Sequence, residues 1–210
     1  MSADDTHRAQ ALADLFRFVA GCYYEPEPAF TEARLFESLL AAATVVDAQL
    51  ARAAQGLGQA FVAQDLQTLL VDYTRLFLGP GQPLASPYGS LWLPRPADAD
   101  ADVDPHGRLL ALYREGGFDL DPGFADLPDH VAVELEFLYL LHFNLNQARA
   151  TGETTSLGEL QALKGRFMVE HLGQWGQPFA AAVQASASTA FYRELGQFTA
   201  QFLKLVTAAA

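Results

Sequence analysis

"FVAQDLQTLLVDYTRLFLGPG", residues 61–81, decides the fold class. Phe61, Val62, Leu66, Leu69, Leu70, Tyr73, Leu76 and Phe77 follow helical spacing, which gathers apolar side chains on one face of an α-helix. The pattern predicts one helix from Phe61 to Phe77, broken by Gly79-Pro80-Gly81. The same periodicity returns on both sides. Leu12, Leu15, Phe16, Val19 and Tyr23 predict a first helix that Pro26 and Pro28 end. A second is expected after Phe30, with Leu35, Phe36, Leu39 and Leu40 inward, and a third over Thr44–Ala54, followed by Gly56 and Gly58.

Downstream, a helix is expected to resume near Pro105, a residue suited to a first turn, and to carry Leu109, Leu110, Leu112 and Tyr113 as far as Gly116-Gly117. The most apolar helix is expected at Val131–Ala148, followed by a polar linker at Thr151–Ser156. Leu157, Leu160, Leu163, Phe167 and Leu172 predict the next helix, with Pro178 interrupting the segment after it. Phe191, Leu195, Phe198, Phe202 and Leu205 predict a last one, starting after Ser186 or Ser188. No segment alternates as a strand does and no fixed-period repeat exists, so the expectation is an all-α, single-domain helical bundle over residues 1–210.

Composition narrows the function. The 210 residues are half hydrophobic and 18% charged, a globular mixture. Apolar runs such as Leu138–Leu141 are cut by His142 and Asn144, well short of the ~20 residues that span a bilayer. The start, MSADDTHRAQ, lacks a basic region leading into an apolar stretch, which predicts a cytoplasmic protein. Cys22 alone can form neither an internal disulfide nor a cysteine metal cluster, and reads as a small apolar residue near a helix end. The net charge of −12 repels nucleic acid and admits a cationic partner.

Catalytic motifs are missing: no Gly-rich phosphate loop, no HExxH and no nucleophile elbow occur. His130 and Glu134, at i,i+4, supply only two ligands and read better as a helix-stabilising pair than as a metal site. The acidic run DADADVDPHG (98–107) fails as a calcium loop, with Val103 where glycine is needed and Leu109 where glutamate is needed. No catalytic residue, metal or cofactor is expected.

Two loops remain unexplained. "RLFLGPGQPLASPYGSLWL" (75–93) contains three prolines, three glycines and an aromatic tail. Residues 79–104 are expected to be the longest irregular connection. Tyr73, Leu76 and Phe77 precede the turn, and Pro87, Tyr88, Leu91 and Trp92 come after it. Aromatic residues at helical spacing are commonly core, yet apolar loop residues often line a surface groove. The second loop, DLDPGFADLPDH (119–130), ends at Asp126-x-x-Asp129, which reads as a cap for the next helix, compatible with ligand binding.

Four segments then carry a resemblance: YTRLFLGPG (73–81), PYGSLWL (87–93), PDHVAVELEFL (128–138) and HLGQWGQPF (171–179). In this order, on a helical chain of this length, they resemble the TorD/DmsD/NarJ family of molybdoenzyme maturation chaperones, and PYGSLWL places the chain nearer the TorD/DmsD branch. Tyr73 and Tyr88 stand where some members carry tryptophan. The resemblance implies a TorD-like helical fold and a cytoplasmic chaperone. Its partner would be the precursor of a molybdopterin oxidoreductase, bound through its twin-arginine signal peptide, its body or both, until cofactor insertion is finished. It implies a peptide site at Tyr73, Leu76, Phe77, Pro87, Tyr88, Trp92, Asp129 and His130, with Asp126 and Glu134 as further acidic contacts. An apolar groove from Leu76, Phe77, Tyr88 and Trp92 would take the leader's apolar part and the carboxylates its guanidinium groups. It is consistent with a monomer or a domain-exchanged dimer hinged at Thr151–Ser156. A small helical hydrolase or nucleotide-binding protein and a structural subunit of an oxidoreductase complex are the competing readings.

Overall fold

The computed structural model describes residues 2–29, 34–79, 81–94, 106–120 and 126–208. Among them the secondary structure is helical, and the one strand-like pairing is an isolated antiparallel bridge between Tyr88 and His130. The helices are α1 (Ala3–Cys22), α2 (Leu35–Val46), α3 (Ala48–Val62), α4 (Leu66–Tyr73), α5 (Gly107–Glu115), α6 (Val131–Thr151), α7 (Thr154–Glu170), α8 (Leu172–Ser186) and α9 (Ala190–Ala208). Helix α1 packs against α6 and α2, while α9 packs against α8 and α3. One contiguous core runs through them all.

The helix ends follow local chemistry. Ser2 and Asp5 form a reciprocal capping box at the start of α1. Asp47, in an extended conformation, accepts from the N–H groups of Gln49 and Leu50 at 2.8 and 2.9 Å. It thereby divides the expected Thr44–Ala54 helix: Thr44 lies in the last turn of α2, and Gly56 and Gly58 lie inside α3 instead of ending it. A Cβ on Gly58 would stand 3.2 Å from Phe36 Cβ, so the glycine lets α2 and α3 approach.

The expected Phe61–Phe77 helix is also two elements. Phe61 lies on the core face of α3, Val62 faces solvent, and Asp65 caps α4 by accepting from Thr68 N–H at 2.9 Å. Apolar spacing runs across the break because both helices face one core. Leu76 and Phe77 lie in a π-helical turn, Thr74–Leu78, closed by Gly79 N–H donating to Thr74 O at 2.6 Å.

Further along, α6 extends past Ala148 to Thr151 and stops at Gly152, whose φ of +75° suits glycine. The expected Thr151–Ser156 linker shrinks to Gly152-Glu153, since Thr154–Ser156 begin α7. Leu172 belongs to α8, not to the preceding helix. Pro178 sits within α8 without interrupting it. The carbonyl it leaves unpaired belongs to Gln174, an exposed residue that water reaches. Cys22 is a buried helix-end residue, as expected. The expectations at Phe30 and Pro105, the calcium-loop comparison over 98–105 and the far part of the 79–104 connection lie outside the described residues.

Candidate functional site

The base of the first loop is core. Leu76 and Phe77 are buried, and the Phe77 ring meets Tyr73 at 5.2 Å, Tyr192 at 5.6 Å and Phe179 at 6.3 Å. Ala85 N–H donates to Leu76 O at 2.9 Å, folding the loop back over the π turn. Beside it lies a carboxylate that the sequence did not single out. Asp72 accepts from the Thr189 N–H at 2.7 Å, the Thr189 hydroxyl at 2.8 Å and the Ser188 N–H at 3.0 Å, and pairs with Arg75 at 2.8 Å. Burial alone would raise the Asp72 pKa; the Ser188, Thr189 and Arg75 hydrogen bonds outweigh it and hold the carboxyl below its usual range.

The two loops meet above this base. Val131 N–H donates to Pro87 O at 2.7 Å and Gly89 N–H to Asp129 O at 2.9 Å, the two bonds of the Tyr88–His130 bridge. Asp129 is buried and does not cap α6. Its Oδ2 accepts from Ser90 N–H at 2.8 Å, and its Oδ1 lies 3.1 Å from His106 Nε2. Asp126 accepts the Tyr88 hydroxyl proton at 2.6 Å and the Leu127 N–H at 2.9 Å. The Tyr113 hydroxyl donates to Pro128 O at 2.7 Å, anchoring the second loop to α5.

The N-cap of α6 is His130, whose Nδ1 accepts from Ala132 N–H at 3.2 Å. That leaves the imidazole proton on Nε2, 3.9 Å from Asp126 Oδ2. The ring stacks on Tyr24 at 6.0 Å and meets Tyr88 edge-on at 5.5 Å. Burial lowers its pKa, against the opposing pull of Asp126 and Asp129. Glu134 does not pair with His130. It is 0% exposed beneath Gly89, with Oε2 accepting from Trp175 Nε1–H at 3.3 Å and Oε1 4.0 Å from His171 Nδ1. Burial pushes its pKa well above the carboxylate range. A Cβ on Gly89 would lie 2.8 Å from Trp175 Nε1 and 3.1 Å from Glu134 Oε1, so only glycine fits between loop and floor.

The ten expected site residues thus fall into three layers. Tyr73, Leu76 and Phe77 are core beneath the loop; Pro87, Asp129, His130 and Glu134 are buried connectors; Tyr88, Trp92 and Asp126 reach the surface. Leu76 and Phe77 do not line an open groove with Tyr88 and Trp92, because the core aromatics cover them. Leu78, Leu84, Leu91 and Leu127 supply the accessible apolar surface of these segments, with exposures of 51, 49, 63 and 47%. The sequence signal for them was present, since each is a large apolar residue in a Gly/Pro-rich loop. Trp175 was legible only as part of the segment HLGQWGQPF, and Asp72 was not singled out by any pattern. Among the described residues no group of three or more His, Cys, Asp or Glu side chains could hold a metal ion.

Comparison with known proteins agrees with this architecture. The sequence profile of the family described as nitrate reductase delta subunit matches residues 43–181. A protein named chaperone protein TorD from Salmonella arizonae is 32% identical over 112 residues, 53% of this chain and 49% of its own. Proteins of that name from Escherichia coli (strain K12 / DH10B) and Aliivibrio salmonicida are 30% and 27% identical over 129 and 137 residues. Those matches cover 61% and 65% of this chain and 57% and 61% of the relatives, so the aligned part spans about half to three-fifths of each relative's length. The chain belongs to the nitrate reductase delta subunit family.

Proposed function

We propose that this member of the nitrate reductase delta subunit family is a cytoplasmic, non-catalytic maturation chaperone. Its client is the precursor of a molybdopterin oxidoreductase subunit, held by its twin-arginine signal peptide until cofactor insertion is finished. The observation that carries the reading is the pinning of two loops into one node that leaves four leucines and a carboxylate outward. In this reading Leu78, Leu84, Leu91 and Leu127 receive the leader's apolar stretch, with the edges of Tyr88 and Trp92. Asp126 meets a guanidinium group, and Asp129, His130, Pro87 and Glu134 position the loops. Tyr73, Leu76 and Phe77 fix the base on which the loops rest.

Magnitudes favour the apolar part. Covering a half-exposed leucine stabilises a complex by about 1 kcal/mol, and an exposed Arg–carboxylate pair adds about 0.5–1 kcal/mol. The net charge of −12 steers a cationic leader toward the protein. Monomer and domain-exchanged dimer are the two assembly states of this reading, the Gly152-Glu153 turn being the hinge of the second; light scattering separates them.

The test is co-purification followed by peptide titration. A chaperone brings down unprocessed precursor, whereas a structural subunit brings down mature enzyme. A synthetic leader should bind wild type and bind the Leu84→Ser/Leu91→Ser variant at least tenfold more weakly. Equal binding by both would exclude this face as the site.

A further inference from the structure

At the opposite end of α6 from the loop node, basic side chains gather in a protein that is otherwise strongly acidic. A cavity of about 290 Å³ is lined by Arg8 of α1, His142 and Arg149 of α6, Lys164 of α7, and the apolar Leu12 and Val206, with Asp5 at its edge. Three of the chain's 13 Lys and Arg residues therefore converge on one small concavity.

The wiring of these groups leaves them available. His142 is 7% exposed, lines the cavity, packs at a tilt against the Phe16 ring at 5.0 Å and makes no hydrogen bond to any described residue. Lys164 is half-buried and forms no ion pair or hydrogen bond with a described residue. Arg149 donates from one nitrogen to Asn146 Oδ1 at 3.2 Å, and Arg8 from one nitrogen to Val46 O at 3.2 Å, leaving each guanidinium further donors. The one carboxylate at the edge, Asp5, is already engaged in the α1 capping box through Oδ2. Neither His142 nor Lys164 has a polar atom sealed from solvent without a partner, so their donors face the open cavity, where an anion can reach them.

We propose that this cavity is a binding site for a phosphate group, free or carried on a small phosphorylated metabolite. Arg149 and Arg8 supply planar N–H forks, Lys164 a point charge and His142 one neutral N–H donor, a set suited to tetrahedral phosphate oxygens. Burial, with Lys164 and Arg149 nearby, holds the His142 pKa down at about 3, so the ring stays neutral at working pH and acts as a hydrogen-bonding group instead of a fourth cation. The cavity's volume admits the phosphate and a few further heavy atoms against Leu12 and Val206. The site stands apart from the loop node and does not depend on the function proposed above.

The experiment titrates the full chain with inorganic phosphate and, separately, with glycerol 3-phosphate, at ionic strength fixed with chloride. Phosphate at tenfold its Kd should raise the Tm of wild type by about 3–5 °C. The double variant Arg149→Gln/Lys164→Gln should lose that increment, and Arg52→Gln, in α3 outside this cavity, should keep it. Tighter binding of glycerol 3-phosphate than of phosphate identifies a metabolite site, and equal binding a site for the phosphate group alone. Imidazole nitrogen resonances followed by NMR should move for His142 and stay fixed for His130. An equal phosphate-dependent Tm rise in the double variant, or His142 resonances that do not respond in wild type, would overturn the proposal.

Discussion

Asp72 and Glu134 are both buried carboxylates, and their surroundings make them opposites. Asp72 collects two backbone N–H groups, a hydroxyl and the Arg75 guanidinium, so its charge is matched from every side. Glu134 receives the Trp175 indole N–H with the Leu172 backbone close by, and its Oε1 has no partner of hydrogen-bond geometry among the described residues. The first is a joint: it ties α4 to the start of α9. The second is the floor of a hub where Gly89, Trp175 and His171 crowd together. A buried charge that is fully paired stabilises one arrangement, while a buried carboxyl with few partners is held neutral and leaves the elements around it freer to rearrange.

The largest effect should come from breaking the joint. Asp72→Ala strands the Thr189 hydroxyl and two backbone donors and takes the carboxylate from Arg75; we expect a loss of about 3–5 kcal/mol in urea unfolding. Next, Gly89→Ala forces a methyl against Trp175 and Glu134 and should cost about 1–3 kcal/mol, with a change in tryptophan fluorescence. Asp129→Ala removes the acceptor of Ser90 N–H and should cost about 1–2 kcal/mol. It should also weaken leader binding, because the loop pair loses a side-chain tie. Retained binding in this variant would make the bridge alone sufficient to set the loops.

The smallest effect sharpens the comparison. Glu134→Gln should change stability by less than about 1 kcal/mol below about pH 4, where the carboxyl is neutral in the folded and the unfolded chain alike and the amide replaces it like for like. The pH profiles should then separate the two acids. The folded pKa of Asp72 is lowered, so its contribution is present above the unfolded value of about 3.9 and is lost as pH falls through the folded pKa. The folded pKa of Glu134 is raised, so its contribution is full below about 4.3 and is lost as pH rises through the folded pKa. Wild type should therefore lose stability on the alkaline side of about pH 4.3 relative to Glu134→Gln, and Asp72→Ala should flatten the acid limb instead. A Glu134→Gln profile parallel to wild type would show that this carboxyl is ionised in the folded protein.

Helical character was legible throughout because a 3.6-residue period depends only on which side chains are apolar. The breaks were harder. Asp47 and Asp65 each begin a new helix inside a continuous apolar pattern, and both are ordinary acidic residues until their side chains fold back on the next turn. Pro178 misled in the other direction, because whether a missing hydrogen bond is tolerated depends on water reaching Gln174. At the site, the quoted segments placed Tyr88 on one loop and Asp129 and His130 on another, 41 and 42 residues away, and the bridge brings them together. The groove expected from Leu76 and Phe77 did not form there, since hydrophobicity alone does not tell a loop's base from its rim.

By itself, then, the sequence determined the all-helical class, the order of most helices, the two punctuated loops and the strong negative charge. These are local or additive properties, set by spacing, composition and turn chemistry. Only the tertiary structure decided that Asp129 ties one loop to the other while His130 caps α6, that Glu134 lies under Gly89, and that Arg8, Arg149 and Lys164 share a cavity. Those outcomes depend on which groups are withdrawn from water together. Desolvation and hydrogen-bond partnership belong to pairs of residues distant in the chain, and no local pattern encodes them.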